Sequence, residues 1–240
     1  PPGTVRKVSV VIPAYNEEAT IAQVVDEVRK VDLNGLEVEI VVVDDGSRDR
    51  TREVLKTISG IKAVLVEKNA GKGAAVKTGF RAASGDILVI QDADMEYDPR
   101  DIKTVIAPIV EGRADAVMGS RFVNERPRFF FGKRRSPFFT HYIGNIAIVQ
   151  ITNWLYWNDA SDYEGAYKAF RKEVVESLPI EADGFEYDNE LICKLLRRGA
   201  RIVTVPISYR PRSYEQGKKI KWTDGVRMLW TIVKWRVKPF

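Results

Sequence analysis

Five short apolar runs alternate with helix-like segments over the first half of this chain, and this alternation restricts the possible folds more than any other feature. The runs are Val8–Ile12, Val38–Val43, Ala63–Val66, Ile87–Ile90 and Ala116–Met118. Because they lack polar alternation, each is expected to be a strand buried on both faces and connected through helices. The pattern predicts an α/β fold with a mostly parallel central sheet and helices on both faces.

The second half of the chain predicts more helix than strand. Helices are expected over 138–155 and 185–198, and a strand over 201–205 is expected to return to the sheet edge. A last helix, Trp222–Arg236, mixes tryptophan, lysine and arginine with apolar residues. It is expected either to lie in a membrane interface or to pack on the domain, and different faces allow both.

An acidic triplet follows the fourth strand directly. The carboxylates Asp92, Asp94 and Glu96 occupy alternate positions, and alternate side chains of an extended chain point the same way. An isolated pair of this kind is most often a solvated turn. At the end of a buried strand, where open α/β sheets bind ligands, mutual repulsion instead favours a bound hard cation, Mg²⁺ or Mn²⁺, shared with phosphate oxygens.

Two more strand ends carry residues suited to a nucleoside. Tyr15 and Glu17 follow the first strand, and Asp44 and Asp45 end the second. Tyr15 is suited to flanking a base, and Glu17 or Asp45 to accepting hydrogen bonds from base N–H groups. Asp44 is equally well explained as a turn residue before a Gly-Ser pair.

Several function classes are disfavoured by what the sequence lacks. Lys68–Gly73 resembles a phosphate cradle without P-loop spacing, and no G-x-G-x-x-G follows the first strand, so neither ATPase nor dinucleotide chemistry is supported. The single cysteine, Cys193, lies in an apolar helical pattern and is interpreted as core. The single histidine, His141, is interpreted as structural or interfacial, and it excludes multi-histidine zinc sites in a monomer. A net charge of +5 favours acidic partners.

Four segments, taken in order, resemble the family 2 glycosyltransferases of the GT-A fold: Pro13–Glu17, Val43–Ser47, Asn69–Gly73 and Asp92–Asp94. Later segments are similar to the polyprenyl-phosphate sugar synthases, and the branch they most resemble is the dolichyl-phosphate mannose synthases. These later segments are Gly119–Arg121, Ser161–Tyr163, Tyr167–Arg171 and Val205–Tyr209, followed by Arg212 and Lys218. The resemblance extends over essentially the whole chain and implies a metal-dependent, inverting glycosyltransferase.

The resemblance also implies roles for individual residues. Five of them would hold the donor nucleoside: Pro13, Tyr15, Glu17, Val43 and Asp45. Asp92 and Ala93 would lie beside the donor's ribose and diphosphate. Asp94 would be the principal ligand of Mg²⁺ or Mn²⁺, and Glu96, where the archaeal pattern has Gln, the second, with Asp92 close by. Three cations would contact donor or acceptor phosphates and, with Asp94, stabilise the leaving group: Arg121, Arg212 and Lys218.

Residues 121–143 interleave cations with aromatic side chains. Such a segment suits RNA, a lipid phosphate, or a loop whose phenylalanines pack on the core. Beside a sugar-nucleotide site, the lipid phosphate is favoured and no nucleic acid is expected. Five residues are therefore assigned to the acceptor: Phe129, Phe130, Phe131, Arg134 and Arg135.

The chain is thus expected to be one GT-A domain with a nucleotide-sugar-binding half (1–120), an acceptor-binding half (121–221) and an amphipathic tail (222–240) that stops short of membrane helices. No run of about 18 apolar residues offers a membrane span. The expected location is the cytoplasmic face of a membrane, with this stretch of chain itself soluble.

The expected reaction moves a hexose, mannose before glucose, from GDP-mannose or UDP-glucose to a polyprenyl or dolichyl phosphate. One alternative is a UDP-glucose-dependent polyprenyl-phosphate glucosyltransferase, and a less favoured one is a non-catalytic nucleotide-sugar-binding module. A polysaccharide synthase is disfavoured because no Q-x-x-R-W motif is present. A sugar-1-phosphate nucleotidyltransferase would need a G-x-G-T-R loop after the first strand.

Overall fold

The computed structural model describes residues 5–120, 139–160, 167–210 and 222–240, together with the short pieces 130–131, 134–135, 162–163 and 165. Its strands are β1 (Lys7–Ala14), β2 (Glu37–Asp45), β3 (Lys62–Val66), β4 (Ile87–Ile90), β5 (Ala116–Ser120), β6 (Phe130–Phe131), β7 (Arg134–Arg135), β8 (Lys168–Arg171) and β9 (Ile202–Pro206). Its helices are α1 (Ile21–Arg29), α2 (Thr51–Thr57), α3 (Lys72–Ala82), α4 (Ile102–Val110), α5 (Phe139–Tyr156), α6 (Lys172–Glu176), α7 (Tyr187–Arg197) and α8 (Trp222–Val237).

Seven of these strands form one sheet in the order β3-β2-β1-β4-β8-β5-β9. Strand β8 runs antiparallel to its neighbours β4 and β5, and the other pairs in the sheet are parallel. The mostly parallel α/β sheet predicted from the sequence is therefore confirmed. Because β1, β2, β4 and β5 run the same way, their carboxyl ends meet at one edge, which is where the polar strand ends were expected to gather.

Both faces of β1, β4, β5 and the carboxyl-terminal half of β2 are buried, as the apolar runs predict. The prediction is wrong for β3, which lies at the edge of the sheet: none of its five residues is buried, and Leu65 is 45% exposed. Val10 and Val89 belong to a cluster shared with α1 and α4, whereas Val11 and Leu88 belong to a cluster shared with α3 and α7. Successive residues of one strand thus supply opposite faces. The two layers of helices fix the strand ends on which the site is built.

The C-terminal helix packs on the domain through one face. Met228, Ile232 and Trp235 of α8 are buried in a third cluster, which also contains Cys193 of α7. The hydroxyl of Tyr156, at the end of α5, donates to the carbonyl of Ile232 over 2.7 Å. The prediction that the last helix packs on the domain is therefore confirmed for this face. The prediction that Cys193 is a core residue is confirmed as well.

Candidate active site

The loops that follow β1 and β2 are joined by hydrogen bonds. The N–H of Asn16 donates to Ser47 Oγ over 2.9 Å, and the N–H of Arg48 donates to Asn16 Oδ1 over 2.8 Å. The N–H of Glu17 donates to Thr51 Oγ1 over 2.9 Å. Asn16 has a φ of 55°, a left-handed conformation that asparagine tolerates. The two strand ends therefore form one rigid rim.

The residues predicted to hold a nucleoside lie along this rim. Pro13 and Val43 are register partners in β1 and β2. Pro13, Tyr15 and Glu17 are half-buried. The Val43 side chain is fully buried in the core, and its contact with a nucleoside stays a prediction.

Asp45 orders the loop that follows β3. Its two carboxylate oxygens accept the N–H groups of Ala70 and Gly71, each over 2.9 Å. Its carbonyl accepts from Asn69 Nδ2 over 3.1 Å, and the residue is only 3% exposed. Two N–H groups of the predicted phosphate cradle therefore point to Asp45 rather than outward.

Asp44 behaves as the turn residue that one interpretation of the sequence favoured. It is fully buried, and its Oδ2 accepts from Arg52 Nε over 2.6 Å and from the Ser47 N–H over 3.3 Å. Its carboxylate thus stabilises the turn that contains Ser47 from the buried side.

Replacing Asp45 by alanine is expected to weaken donor binding by about 1–3 kcal/mol, because the hydrogen bonds that order residues 69–71 are lost. Calorimetry with a nucleoside diphosphate measures this effect. The matched control is Asp44→Asn, which should lower the melting temperature with a smaller change in affinity. Unchanged affinity in the Asp45 variant would limit that residue to a turn role.

The acidic triplet lies in the loop after β4. Asp94 Oδ1 accepts the N–H of Glu96 over 3.1 Å, and Met95 between them has a φ of 61°. Burial, and then the negative charges of Asp92 and Glu96, raise the pKa of Asp94 to about 7. The loop therefore concentrates negative charge that a cation would relieve.

Lys72, in the first turn of α3, neutralises one member of the triplet. Its Nζ lies 2.8 Å from Asp92 Oδ1 and 3.0 Å from Asp92 Oδ2. Burial lowers the pKa of Lys72, but the charges of Asp92 and Asp188 outweigh burial and raise it, so the ammonium persists. The sequence flagged this lysine only as part of a phosphate cradle.

No three histidine, cysteine or carboxylate side chains come together as a ready metal centre in the part of the chain that the structure describes. With Asp92 paired to Lys72, Asp94 is the carboxylate of the triplet whose raised pKa points to a cation, and Glu96 stays the predicted second ligand. One or two carboxylates completed by substrate phosphates is the usual way in which Mg²⁺ binds. The donor set therefore fits a cation shared with a diphosphate better than a closed protein cage.

The raised pKa of Asp94 predicts a pH-dependent metal affinity. A proton and a cation compete for this carboxylate, so apparent Mn²⁺ affinity should fall by up to about tenfold per pH unit below pH 7 and level off above it. Calorimetric Mn²⁺ titrations between pH 5.5 and 8.5, roughly the range that brackets this pKa, measure the slope. Asp94→Asn should show a shallower slope, and an equal slope would remove Asp94 from the metal site.

Tyrosines support the acidic loop from the core side. The Tyr167 hydroxyl lies 2.8 Å from the carbonyl of Asp98 and also contacts Gln91 Oε1. The Tyr97 ring packs edge-on against Tyr167, with centroids 5.5 Å apart. Sequence reasoning missed this support, although Tyr167 lies within one of the motifs that carry the family resemblance.

Part of the predicted site lies outside the described residues: Arg121, Phe129, Arg212 and Lys218. For four acceptor residues the structure describes the backbone of β6 and β7 alone: Phe130, Phe131, Arg134 and Arg135. The roles of all eight stay predictions. Along the chain, the described residue closest before Arg212 is Arg210. Its N–H donates to the Glu96 carbonyl over 2.8 Å. The chain therefore passes beside the acidic loop just before Arg212.

The sequence profile of glycosyl transferase family 2 matches residues 9–178. The chain belongs to this family. A dolichol-phosphate mannosyltransferase of Pyrococcus furiosus is 34% identical to this glycosyltransferase, over 95% of the chain and 64% of its own length. Glycosyltransferase AglJ of Haloferax volcanii is 29% identical, over 85% of the chain and 63% of its own length. The chain thus spans less than two thirds of either relative.

Solved structures identify the fold of this glycosyltransferase as GT-A. Glucosyl-3-phosphoglycerate synthase of Mycobacterium tuberculosis, crystallised with Mn²⁺, UDP and phosphoglyceric acid, superposes with a TM-score of 0.73 at 24% identity, over 98% of this chain and 80% of that one. A second crystal structure of that enzyme contains Mn²⁺, UDP-glucose and phosphoglyceric acid and gives a TM-score of 0.72 at 24% identity, over 98% of this chain and 81% of that one. Among the described helices, none combines the length and the apolar character needed to cross a bilayer.

Proposed function

We propose that this glycosyltransferase moves a hexose, mannose in the first instance, from a nucleoside diphosphate sugar to a polyprenyl phosphate, with inversion at the sugar carbon. The observation that carries the donor half of the proposal is the acidic loop, in which Lys72 neutralises Asp92, while burial and the charges of Asp92 and Glu96 raise the pKa of Asp94 to about 7, a charge concentration that a divalent cation would relieve. The dolichol-phosphate mannosyltransferase among the relatives supports the acceptor half.

The residues around the cation would bind and orient the donor. When bound, Mg²⁺ or Mn²⁺ supplies charge stabilisation to the departing diphosphate. Asp94 and Glu96 would hold the ion, and Asp45 would keep residues 69–71 in place beside the nucleoside. Arg121, Arg212 and Lys218 would neutralise the phosphates of donor and acceptor, which would otherwise repel each other.

The proposal needs no general base. A phosphate monoester is already largely anionic at neutral pH, whereas a hydroxyl acceptor would require a carboxylate or imidazole to take its proton. The single histidine of the chain, His141, belongs to α5, and it matches none of the family motifs.

Transfer of glucose from UDP-glucose is the second candidate, because the related synthase from M. tuberculosis is crystallised with UDP-glucose. Release of nucleoside diphosphate from GDP-mannose and from UDP-glucose, each with and without polyprenyl phosphate, tests both. Release from one donor that depends on polyprenyl phosphate supports the proposal and selects the sugar. Release that requires phosphoglycerate instead would contradict the lipid acceptor, and binding without turnover would indicate a nucleotide-sugar-binding module.

Exposed apolar side chains on two helices support a membrane surface as a further partner. Helix α5 has no charged residue in its 18 positions, and Trp154 near its end is 78% exposed. Trp157, just beyond that end, is 90% exposed and has a φ of 57°, a conformation in which glycine or asparagine is more usual. On α8, Trp230 is 67% exposed on the face opposite the buried one. Exposed tryptophans beside lysine and arginine suit the headgroup region of a bilayer.

The double variant Trp154→Ser/Trp157→Ser is expected to lower binding to anionic vesicles by at least about tenfold, because interfacial burial of both rings is lost. Vesicle co-sedimentation measures the partition, and thermal unfolding should show little change since both rings are exposed. The matched control is Val110→Ser, which removes an exposed apolar residue at the end of α4. Equal vesicle binding by all three proteins would contradict this surface.

A further inference from the structure

Four charged side chains of alternating sign link the acidic loop to the start of β8: Asp92, Lys72, Asp188 and Lys168. Lys72 Nζ is 2.8 Å from Asp92 Oδ1, and Lys168 Nζ is 3.3 Å from Asp188 Oδ1. The two ion pairs are neighbours, because the starts of α3 and α7 pack closely: a Cβ on Gly73, next to Lys72, would lie 2.5 Å from the Cβ of Tyr187, next to Asp188. We call these four residues the charge row, and its net charge is zero.

The topology of the sheet places Lys168 in this row. Strand β8 runs antiparallel between β4 and β5, so its first residue pairs with Ile90 and Met118 near the carboxyl ends of those strands. The Lys168 side chain is fully buried, and its Nζ also donates to the carbonyl of Gly165. A buried ammonium is costly without an anionic partner. Among the described carboxylates, Asp188 is the one within ion-pair distance of it.

Asp188 pairs with Lys168 and adjoins the turn of α3 that contains Lys72. Its side chain is 16% exposed and lies in the first turn of α7, on the side of the sheet that α3 covers. Without Lys168, Asp188 would lose its ion-pair partner, and Lys72, on the adjoining turn of α3, is the described cation that we expect it to attract. Asp92 and Asp188 would then compete for one ammonium group.

Building on the proposed donor site, we propose that Lys168 and Asp188 are positioning residues that keep the Lys72 ammonium on Asp92. Lys168 neutralises Asp188. Asp188 can then stabilise the charge of Lys72 without attracting the ammonium group away from Asp92. Asp92 then stays neutralised, and Asp94 would bind the divalent cation, with Glu96 as the predicted second ligand. Neither Lys168 nor Asp188 needs to touch the substrate for this role.

The variant Lys168→Met removes the terminal cation and keeps the length of the side chain. Mn²⁺-dependent binding of GDP or UDP, measured by calorimetry, should weaken by about tenfold or more, the range expected for outer partners of a metal site. The double variant Lys168→Met/Asp188→Asn restores a neutral row and should recover most of the lost affinity. In a crystal structure of the single variant, Lys72 Nζ should lie nearer to Asp188 than to Asp92.

Lys194→Met is the matched control. Lys194 pairs with Glu190 over 2.5 Å on the same helix, and both side chains are at most 1% exposed. Its Nζ lies over the Trp235 ring of α8, 3.4 Å from the centroid, and so outside the charge row. This variant should lower the melting temperature of the metal-free protein, as Lys168→Met does, yet bind the nucleotides like the wild type.

The nucleoside diphosphates carry no hexose, so a direct contact between Asp188 and the sugar would not affect this assay. Wild-type affinity in Lys168→Met, an equal loss in Lys194→Met, or no recovery in the double variant would each overturn the inference. If the single variant does not fold, Lys168→Gln, which removes the charge and retains a hydrogen-bond donor, takes its place with the same expectations. Failure of the wild type to bind either nucleotide with Mn²⁺ would instead contradict the proposed function.

Discussion

Replacing Asp94 by asparagine is expected to reduce turnover by about a hundredfold or more, the scale of losing charge stabilisation at a leaving group. The fold should persist, because Asp94 lies in a loop after β4 and its hydrogen bond to the Glu96 N–H can be kept by the amide oxygen. Steady-state kinetics with varied Mn²⁺ measures the loss, and thermal unfolding checks the fold.

Asp98→Asn is the matched control for this experiment. Asp98 lies in the same loop, but its carboxylate pairs with Arg100 over 2.5 Å, and that hydrogen bond is the main cause of its lowered pKa. The control should retain most of the activity and the same metal dependence. Near-normal turnover by the Asp94 variant would remove that carboxylate from the metal site.

Polyprenol should be a far poorer acceptor than polyprenyl phosphate, by on the order of 10² to 10⁴ in rate, which is the contribution of the general base that a neutral alcohol would require. Paired assays with the two lipids, matched in chain length and detergent, measure the ratio. His141→Ala should retain most activity with the phosphate acceptor. Efficient transfer to the alcohol would overturn both the acceptor assignment and the base-free mechanism.

The sequence alone predicts the parallel part of the sheet and the edge at which its polar strand ends meet. The runs before Pro13, Asp44 and Gln91 are apolar apart from Ser9 and Glu39, and such runs are typical of strands buried on both faces. Their carboxyl ends necessarily share an edge once the strands are parallel. The grouping of the rim residues with the acidic loop follows from that rule alone.

Strand β8 could not be predicted in the same way. Its four residues begin with Lys168 and end with Arg171. Because both ends are cationic, the segment looks polar in the sequence although it is a buried strand. These cations are tolerated because Asp188 and Asp115 lie within ion-pair distance of them. Such partners are distant in sequence, so periodicity gives no sign of them.

The internal role of Asp45 also depended on tertiary contacts. Its position at a strand end suggested a ligand-facing carboxylate, whereas the structure directs both oxygens to the N–H groups of Ala70 and Gly71. In the sequence, Lys72 was recognisable as part of a glycine-rich segment. Its ion pair with Asp92 could not be predicted, because it requires the start of α3 to lie beside the end of β4. Local sequence signals identify such residues without assigning their partners.

The position of β8 has a consequence for synthesis of the chain. In the finished sheet, β4 and β5 do not pair with each other, because β8 lies between them. A ribosome releases β1 to β5 well before it releases Lys168, so until then β4 and β5 each have an unpaired edge next to β8's future position. Unpaired edges of apolar strands invite association with other chains. The other edge of β5 pairs with β9, which is released later still. The nascent protein therefore has an interval of exposure that ends only when β8 and β9 have both been added, and the first 120 residues on their own would remain in that state.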